Sequence, residues 1–184
     1  MTDSSAVEAD GLRFKTLLPE AILPIPENQP GANTSALLAL RITNNTQTPL
    51  RFSGYDTPDA EIVGPNGKIL ELSAAINWTV PPTKVDFPLA QPGESVTFIR
   101  DAKLFWQNNQ LRLGGSDGYG GVWDVKDLAP GSYQVRLRYV NSKATAYIYD
   151  RELRAPKTGN PATLEGIWTG AAITPFREIR LVHP

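Results

Sequence analysis

The sequence predicts an all-β protein, an antiparallel β-sandwich with Greek-key connections, on three observations. Sixteen prolines and 15 glycines are spread along the 184 residues, and breakers at that spacing suit short strands better than long helices. No stretch keeps a helical apolar period for three turns; the best candidate, Thr57 to Gly64, is broken by Gly64 and Pro65. Strand-like segments recur about every 10 to 15 residues, with turn residues between them.

The length suits a single domain. Residues 1–10 are polar and patternless and read as a disordered tail, leaving 11–184 as the domain. Leu12–Leu18 alternates, and four prolines between Pro19 and Pro30 then allow only an edge segment followed by a loop. Ala36–Asn45 is the first strong strand, with Leu38, Leu40 and Ile42 on one face. Leu50 and Phe52 mark a short strand. Ala60–Leu72 reads as a hairpin of two β-rich arms around Gly64-Pro65-Asn66-Gly67.

The Pro-punctuated pieces Ile76–Pro82 and Val85–Leu89 read as edge strands or loop. After a Pro92-Gly93 turn, Val96 and Phe98 share one face and Thr97 and Ile99 the other. Leu104–Leu113 is a second hairpin, with Gln107–Gln110 as its tip. Tyr133, Val135, Leu137 and Tyr139 then alternate with polar residues in the clearest strand of the chain, and Ala144–Leu153 is expected to pair with it. Phe176, Ile179 and Leu181 break period two, which predicts a bulge or bend.

Several of these segments resemble bacterial immunoglobulin-like or fibronectin-III-like domains. They are the L-x-L-x-I-x-N-N strand from Leu38, Pro65-Asn66-Gly67-Lys68, Gln91–Phe98, Ala129–Tyr139 and Trp168–Thr174. The resemblance spans roughly Ala36 to Val182 and implies an immunoglobulin-like sandwich whose end loops form the contact surface. The Cys-Trp-Cys core of antibody domains is missing, so no immune role is implied.

Composition narrows the function classes. Eighteen basic against 19 acidic residues leave a net charge of −1, with no global field to recruit nucleic acid or an anionic membrane. A local excess at Arg136, Arg138, Lys143, Arg151, Arg154 and Lys157 reads first as a solvated strand face and second as an anion patch. With no cysteine there is no disulfide framework or thiolate chemistry, and a lone histidine is a poor zinc set. No run reaches the roughly 18 apolar residues of a membrane span. The first residues lack the basic and apolar regions of a secretory signal, and a cytoplasmic chain or a leader-trimmed exported domain both fit. Asn33, Asn44 and Asn77 begin N-x-[ST] triplets.

One segment mimics a catalytic motif. Gly114-Gly115-Ser116-Asp117-Gly118 fits the G-x-S-x-G elbow of serine hydrolases, with His183 as the only histidine available as a base. The elbow needs a helix after the serine and a parallel sheet beneath it, whereas Asp-Gly-Tyr-Gly-Gly follows here and no βαβ alternation surrounds it. Asp117, Asp124 and Asp127 lack the spacing of a calcium loop. Glu61, Glu71 and Asp86 are scattered acids without a paired arrangement. The sequence therefore predicts no catalytic residues, no metal and no cofactor.

Binding is the stronger class. Trp78, Trp106, Trp123 and Trp168, with Tyr55 and Tyr119, read either as core plugs or as platforms for a carbohydrate or protein partner. The loop from Gly114 to Trp123 is the first-choice contact site, with Ser116, Asp117, Tyr119 and Trp123 as its binding residues and Tyr119 as an exposed tip. Gly118-Tyr119-Gly120-Gly121 resembles the G-x-G-G loop of chagasin-type protease inhibitors, which implies a wedge entering a protease cleft. The N-P-T-T-G-[FY] and R-P-[FW] companion loops do not occur in the chain.

Overall fold

Alternation of apolar and polar residues along two long strands builds the centre of the first sheet, in a computed structural model that describes residues 5–55, 57–76, 80–149 and 161–184. β4 (Asn33–Asn44) runs antiparallel to β9 (Ser95–Gln107) over eleven residue pairs, from Asn33 opposite Phe105 to Thr43 opposite Ser95. β2 (Leu12–Leu17) and then β1 (Ala6–Ala9) extend the sheet beyond β4. Beyond β9 lie β10 (Gln110–Ser116), β11 (Gly121–Val125) and the edge strand β7 (Ser73–Ile76).

The second sheet is organised by β12 (Gly131–Asn141). β6 (Asp59–Val63) pairs with Gln134–Arg138 along one side. Along the other run β16 (Arg177–Val182), opposite Gly131–Val135, and β15 (Gly170–Ile173), opposite Arg138–Asn141. β3 (Ile22–Pro24) closes this sheet in parallel with β16. Two short ribbons complete the described strands: β5 (Leu50–Arg51) with β8 (Leu89–Ala90), and β13 (Ala146–Ile148) with β14 (Ala162–Leu164). Among the described residues the helical content is one 3-10 turn, Lys84–Asp86. The protein is all-β with predominantly antiparallel sheets.

The inward faces of the two sheets share their hydrophobic clusters. Leu38, Leu104, Leu113 and Trp123 of the first sheet pack with Ile62, Tyr133, Val135 and Ile179 of the second. Phe14, Leu40 and Ile42 meet Leu137 and Tyr139 in a second cluster. Trp168 joins this one, its ring 5.5 Å from Phe14 and 5.8 Å from Tyr139. With no disulfide, burial of these side chains, each worth about 1.5–3 kcal/mol, is the main favourable term.

The bulge or bend expected near Phe176 appears as a one-residue shift of register against β12 between β15 and β16, where Thr174 lies. The Thr174 amide donates to the Leu137 carbonyl at 3.0 Å, and its hydroxyl accepts from the Leu137 amide at 2.9 Å. A side chain thus completes a ladder that the backbone interrupts. At the start of β12, the Tyr133 hydroxyl accepts from the Ala129 amide and donates to the Ala129 carbonyl, both at 2.9 Å, pinning the Pro130-Gly131 corner. The tip of the second hairpin is the pair Asn108-Asn109, both at positive φ (53° and 59°), as a two-residue type I′ turn requires.

Three expectations are corrected. Residues 6–9, expected in a disordered tail, form β1. Asp10 and Gly11, at φ 52° and 74°, make a two-residue turn that lays β1 on β2, and Val7 packs against the second cluster. The hairpin around Pro65 has its turn, but its second arm is reduced to a bridge between Val63 and Ile69 and one bond from the Leu70 amide to Ile62, because the chain then leaves for β7 in the other sheet. The segment expected to pair with β12 supplies β13, which pairs with β14 instead, since both sides of β12 are already taken by β6 and by β15 with β16.

Candidate functional site

The glycine-rich loop owes its glycines to construction. A Cβ at Gly114 would run into the Trp123 carbonyl and one at Gly115 into the Asp101 carbonyl, so close strand approach excludes side chains there. Gly118 and Gly120 sit at φ 85° and 98°, in the turn between β10 and β11. Asp117 Oδ1 accepts the amides of Tyr119 at 2.7 Å and Gly121 at 2.9 Å, and the Ser116 hydroxyl accepts the Gly118 amide at 3.0 Å. The Tyr119 carbonyl in turn accepts the Val80 amide at 2.9 Å. Both ends and the tip are pinned, and the loop is a preformed rim.

Tyr119 is half-buried, which corrects its reading as an exposed tip. Its ring lies 4.5 Å from that of Tyr55, and its hydroxyl donates to the Gly54 carbonyl at 2.9 Å, with Asp86 Oδ1 at 3.3 Å. The side chain folds back onto the protein because two acceptors wait there. Trp123 takes the core-plug reading: it is buried in the first cluster, 6% exposed.

Beneath this rim two adjoining clefts share Arg100, Asp117 and Tyr119. One, of about 350 Å³, runs between the loop and Gly54, Asp86 and Ile99. The other, of about 160 Å³, opens between the starts of β6 and β7, past Asp59 and Leu72 to Trp123. Val85, Ile99 and Val122 give their lips exposed apolar surface.

Arg100 is the residue that sequence reasoning missed. Continuing the alternation Val96, Phe98, Arg100, Ala102, Leu104 places a guanidinium on the core-facing side of β9, opposite Leu38. A charge at a core position was the available signal. Its side chain is 15% exposed, and among the described residues its one ion-pair contact is Asp59 Oδ1 at 3.6 Å, itself 71% exposed. That distance is beyond a hydrogen bond. The Nε atoms of Arg112 and Arg136 are sealed in the protein, whereas the Arg100 nitrogens, on a residue that lines both clefts, are not.

The other candidates are held apart. Ser116 ends β10 at the loop, while His183 lines an apolar groove of about 430 Å³ with Pro26, Trp106 and Leu111 near the other end of that strand. Leu111 and Ser116 are separated by roughly 17 Å of extended chain, at about 3.3 Å per residue, and the serine and histidine do not meet. Asp124 pairs with Arg112 at 2.8 Å and Asp127 accepts from Gln110 at 2.8 Å, so neither joins Asp117. Among the described residues no group of three acidic, histidine or cysteine side chains is placed to hold a metal ion. Glu61 pairs with Arg136 at 2.5 Å, and Asp86 caps the 3-10 turn through Thr83.

The Arg136 guanidinium also covers the Phe176 ring at 4.3 Å, so this member of the basic run is committed to its own sheet; Arg151, Arg154 and Lys157 lie outside the described residues. Trp106 is half-buried, its indole donating to Pro26 at 2.8 Å, and Trp168 is half-buried in the second cluster, while Trp78 lies outside the described residues. Asn44 is fully buried with its amide donating to Thr48 and Ala90, Asn33 is exposed, and Asn77 is outside the described residues. Among the described residues no helix is long and apolar enough to cross a membrane. No protein-family model, curated protein or solved structure matches the chain.

Proposed function

We propose that the chain is a non-catalytic binding module on an immunoglobulin-like sandwich with Greek-key connections, and that it takes its ligand in the twin cleft under the glycine loop. The fold reading is supported by the segment Leu12–Pro24, which pairs with β4 in one sheet as β2 and crosses to join the other as β3. The tyrosine corner at Tyr133 supports it as well.

The observation that carries the binding reading is Arg100. A guanidinium held mostly between two sheets, with no hydrogen-bond acceptor among the described residues and lining a preformed cleft, is costly to the fold and useful to a ligand. The pinned loop lowers the ordering cost of binding. A sugar-stacking mode has less support, since Trp106, Trp123 and Trp168 are all half-buried or buried.

The test is amide NMR mapping with a panel of oligosaccharides, peptides and small acids. Saturable shifts at Gly54, Ile99, Arg100 and Asp117–Gly121 support the reading. Saturable binding that maps only to the Trp106 groove, or no saturable binding from the whole panel, overturns it.

A further inference from the structure

Resting on the binding reading above, we infer that the cleft recognises a carboxylate carrying a neighbouring nitrogen donor, as at the free C-terminus of a peptide or in a free amino acid. Arg100 supplies the first half. A guanidinium presents five N–H donors in a planar fork that matches a carboxylate bidentately, and among the described residues no acceptor lies within hydrogen-bond distance of those of Arg100. Asp59 stands 3.6 Å away at the exposed rim, close enough to hold the side chain in place and too far to satisfy it.

The carboxylates around Arg100 supply the second half. Asp86 and Asp117 line the larger cleft with it. Each spends one oxygen on the protein: Asp86 Oδ2 accepts from the Thr83 amide and hydroxyl, and Asp117 Oδ1 accepts from two loop amides. Asp86 Oδ1 has the Tyr119 hydroxyl at 3.3 Å, a proton already better placed on Gly54 at 2.9 Å. Acceptor capacity therefore remains on both acids, which line the same cleft as the cation.

These three aspartates decide the ligand class. Among the described residues lining the two clefts, one arginine stands with Asp59, Asp86 and Asp117, a locally acidic set that repels phosphate and sulfate dianions. A single carboxylate with an adjacent N–H or ammonium satisfies both signs at once. Val85 and Ile99, exposed at 76% and 61% on the lip of the same cleft, favour an apolar side chain next to that carboxylate.

The experiment titrates the full chain with an alanine-rich pentapeptide ending in leucine, the same peptide amidated at its C-terminus, free leucine and inorganic phosphate, read by amide and Arg side-chain NMR. The free-acid peptide or leucine is expected to shift the Arg100 Nε–H and the Asp117–Gly121 amides, and amidation to weaken peptide binding by about tenfold or more. The stronger of the peptide and leucine arms identifies the source of the carboxylate. Arg100→Gln is expected to abolish the response and Arg100→Lys to retain part of it; the amide comparison uses the unaltered chain and does not depend on either variant folding. Equal binding of acid and amide, phosphate binding as tightly as the acids, or no saturable response to any of the four overturns the inference. If another compound of the wider panel still maps to the cleft, the binding-module reading survives that failure; if none does, both fall.

Discussion

The hydroxyls of Thr16 and Thr174 lie 2.7 Å apart in the core, one on each sheet, both residues nearly or wholly inaccessible. The Thr174 hydroxyl accepts from Leu137 N–H at 2.9 Å and has two oxygens within reach of its one proton, the Leu137 carbonyl at 3.0 Å and Thr16 Oγ1. Apolar residues alone would leave the Leu137 amide orphaned where the register shifts between β15 and β16. Thr174→Val removes that acceptor at nearly constant volume and is expected to cost about 1–3 kcal/mol. Thr16→Val, which removes the hydroxyl across the gap, is expected to cost about 1 kcal/mol or less. Urea midpoints of the two single variants and the double variant measure this, and strictly additive effects would deny the coupling.

Tyr119 holds the glycine loop against Gly54. Tyr119→Phe keeps the ring contact with Tyr55 and loses the hydroxyl donor, for an expected loss of about 0.5–1.5 kcal/mol. Asp117→Ala strips two amides of their acceptor, and hydrogen exchange at Tyr119 and Gly121 is expected to accelerate locally while exchange in β4 and β9 stays unchanged. Unchanged exchange at the loop would contradict the pinned rim.

Gly115→Ala drives a methyl group into the Asp101 carbonyl, and neither strand can yield without breaking its pairing. The expected cost is about 1–3 kcal/mol or more, read as a lower thermal midpoint. A neutral Gly115→Ala would show that these strands sit further apart than described.

Burial pushes the Tyr139 phenol far above its ordinary range, opposed only in part by the Ser53 amide that it accepts at 2.8 Å. Below about pH 10 the phenol is neutral folded or unfolded, and its contribution is intact. Above that, the unfolded chain ionises while the native one stays protonated, and stability is expected to fall by about 1.4 kcal/mol per pH unit from this group. Tyr139→Phe is expected to be less stable at neutral pH and to decline less steeply in alkali. Parallel curves for the two proteins would contradict the assignment.

The Ser116 hydroxyl accepts from the Gly118 amide and has no histidine in reach. A fluorophosphonate probe is expected to label the unaltered chain no more than Ser116→Ala. Specific labelling of Ser116 would restore the hydrolase reading.

Much of the architecture was legible because it is local. Asn108-Asn109 closes a hairpin by its own dihedral preferences, and the alternation from Tyr133 to Tyr139 needs no partner to be recognised. Asp10-Gly11 carries the same kind of signal inside a polar neighbourhood, and turn chemistry outweighs composition at that scale. Arg100 was hidden for the opposite reason: its parity is visible along β9, but its meaning depends on Asp59, Asp86 and Asp117, which arrive from three other segments.

What the amino-acid sequence determined by itself was the strand content, the turns and which face of each strand is apolar, since these follow from backbone preferences and a period of two. The tertiary structure decided which strands neighbour one another, that Tyr119 folds inward and Trp123 is buried, and that a guanidinium from the core face of β9 opens into a cleft rimmed by a glycine loop. Those outcomes depend on competition among distant segments for the same edges and the same interior, and a linear chain does not display who wins it.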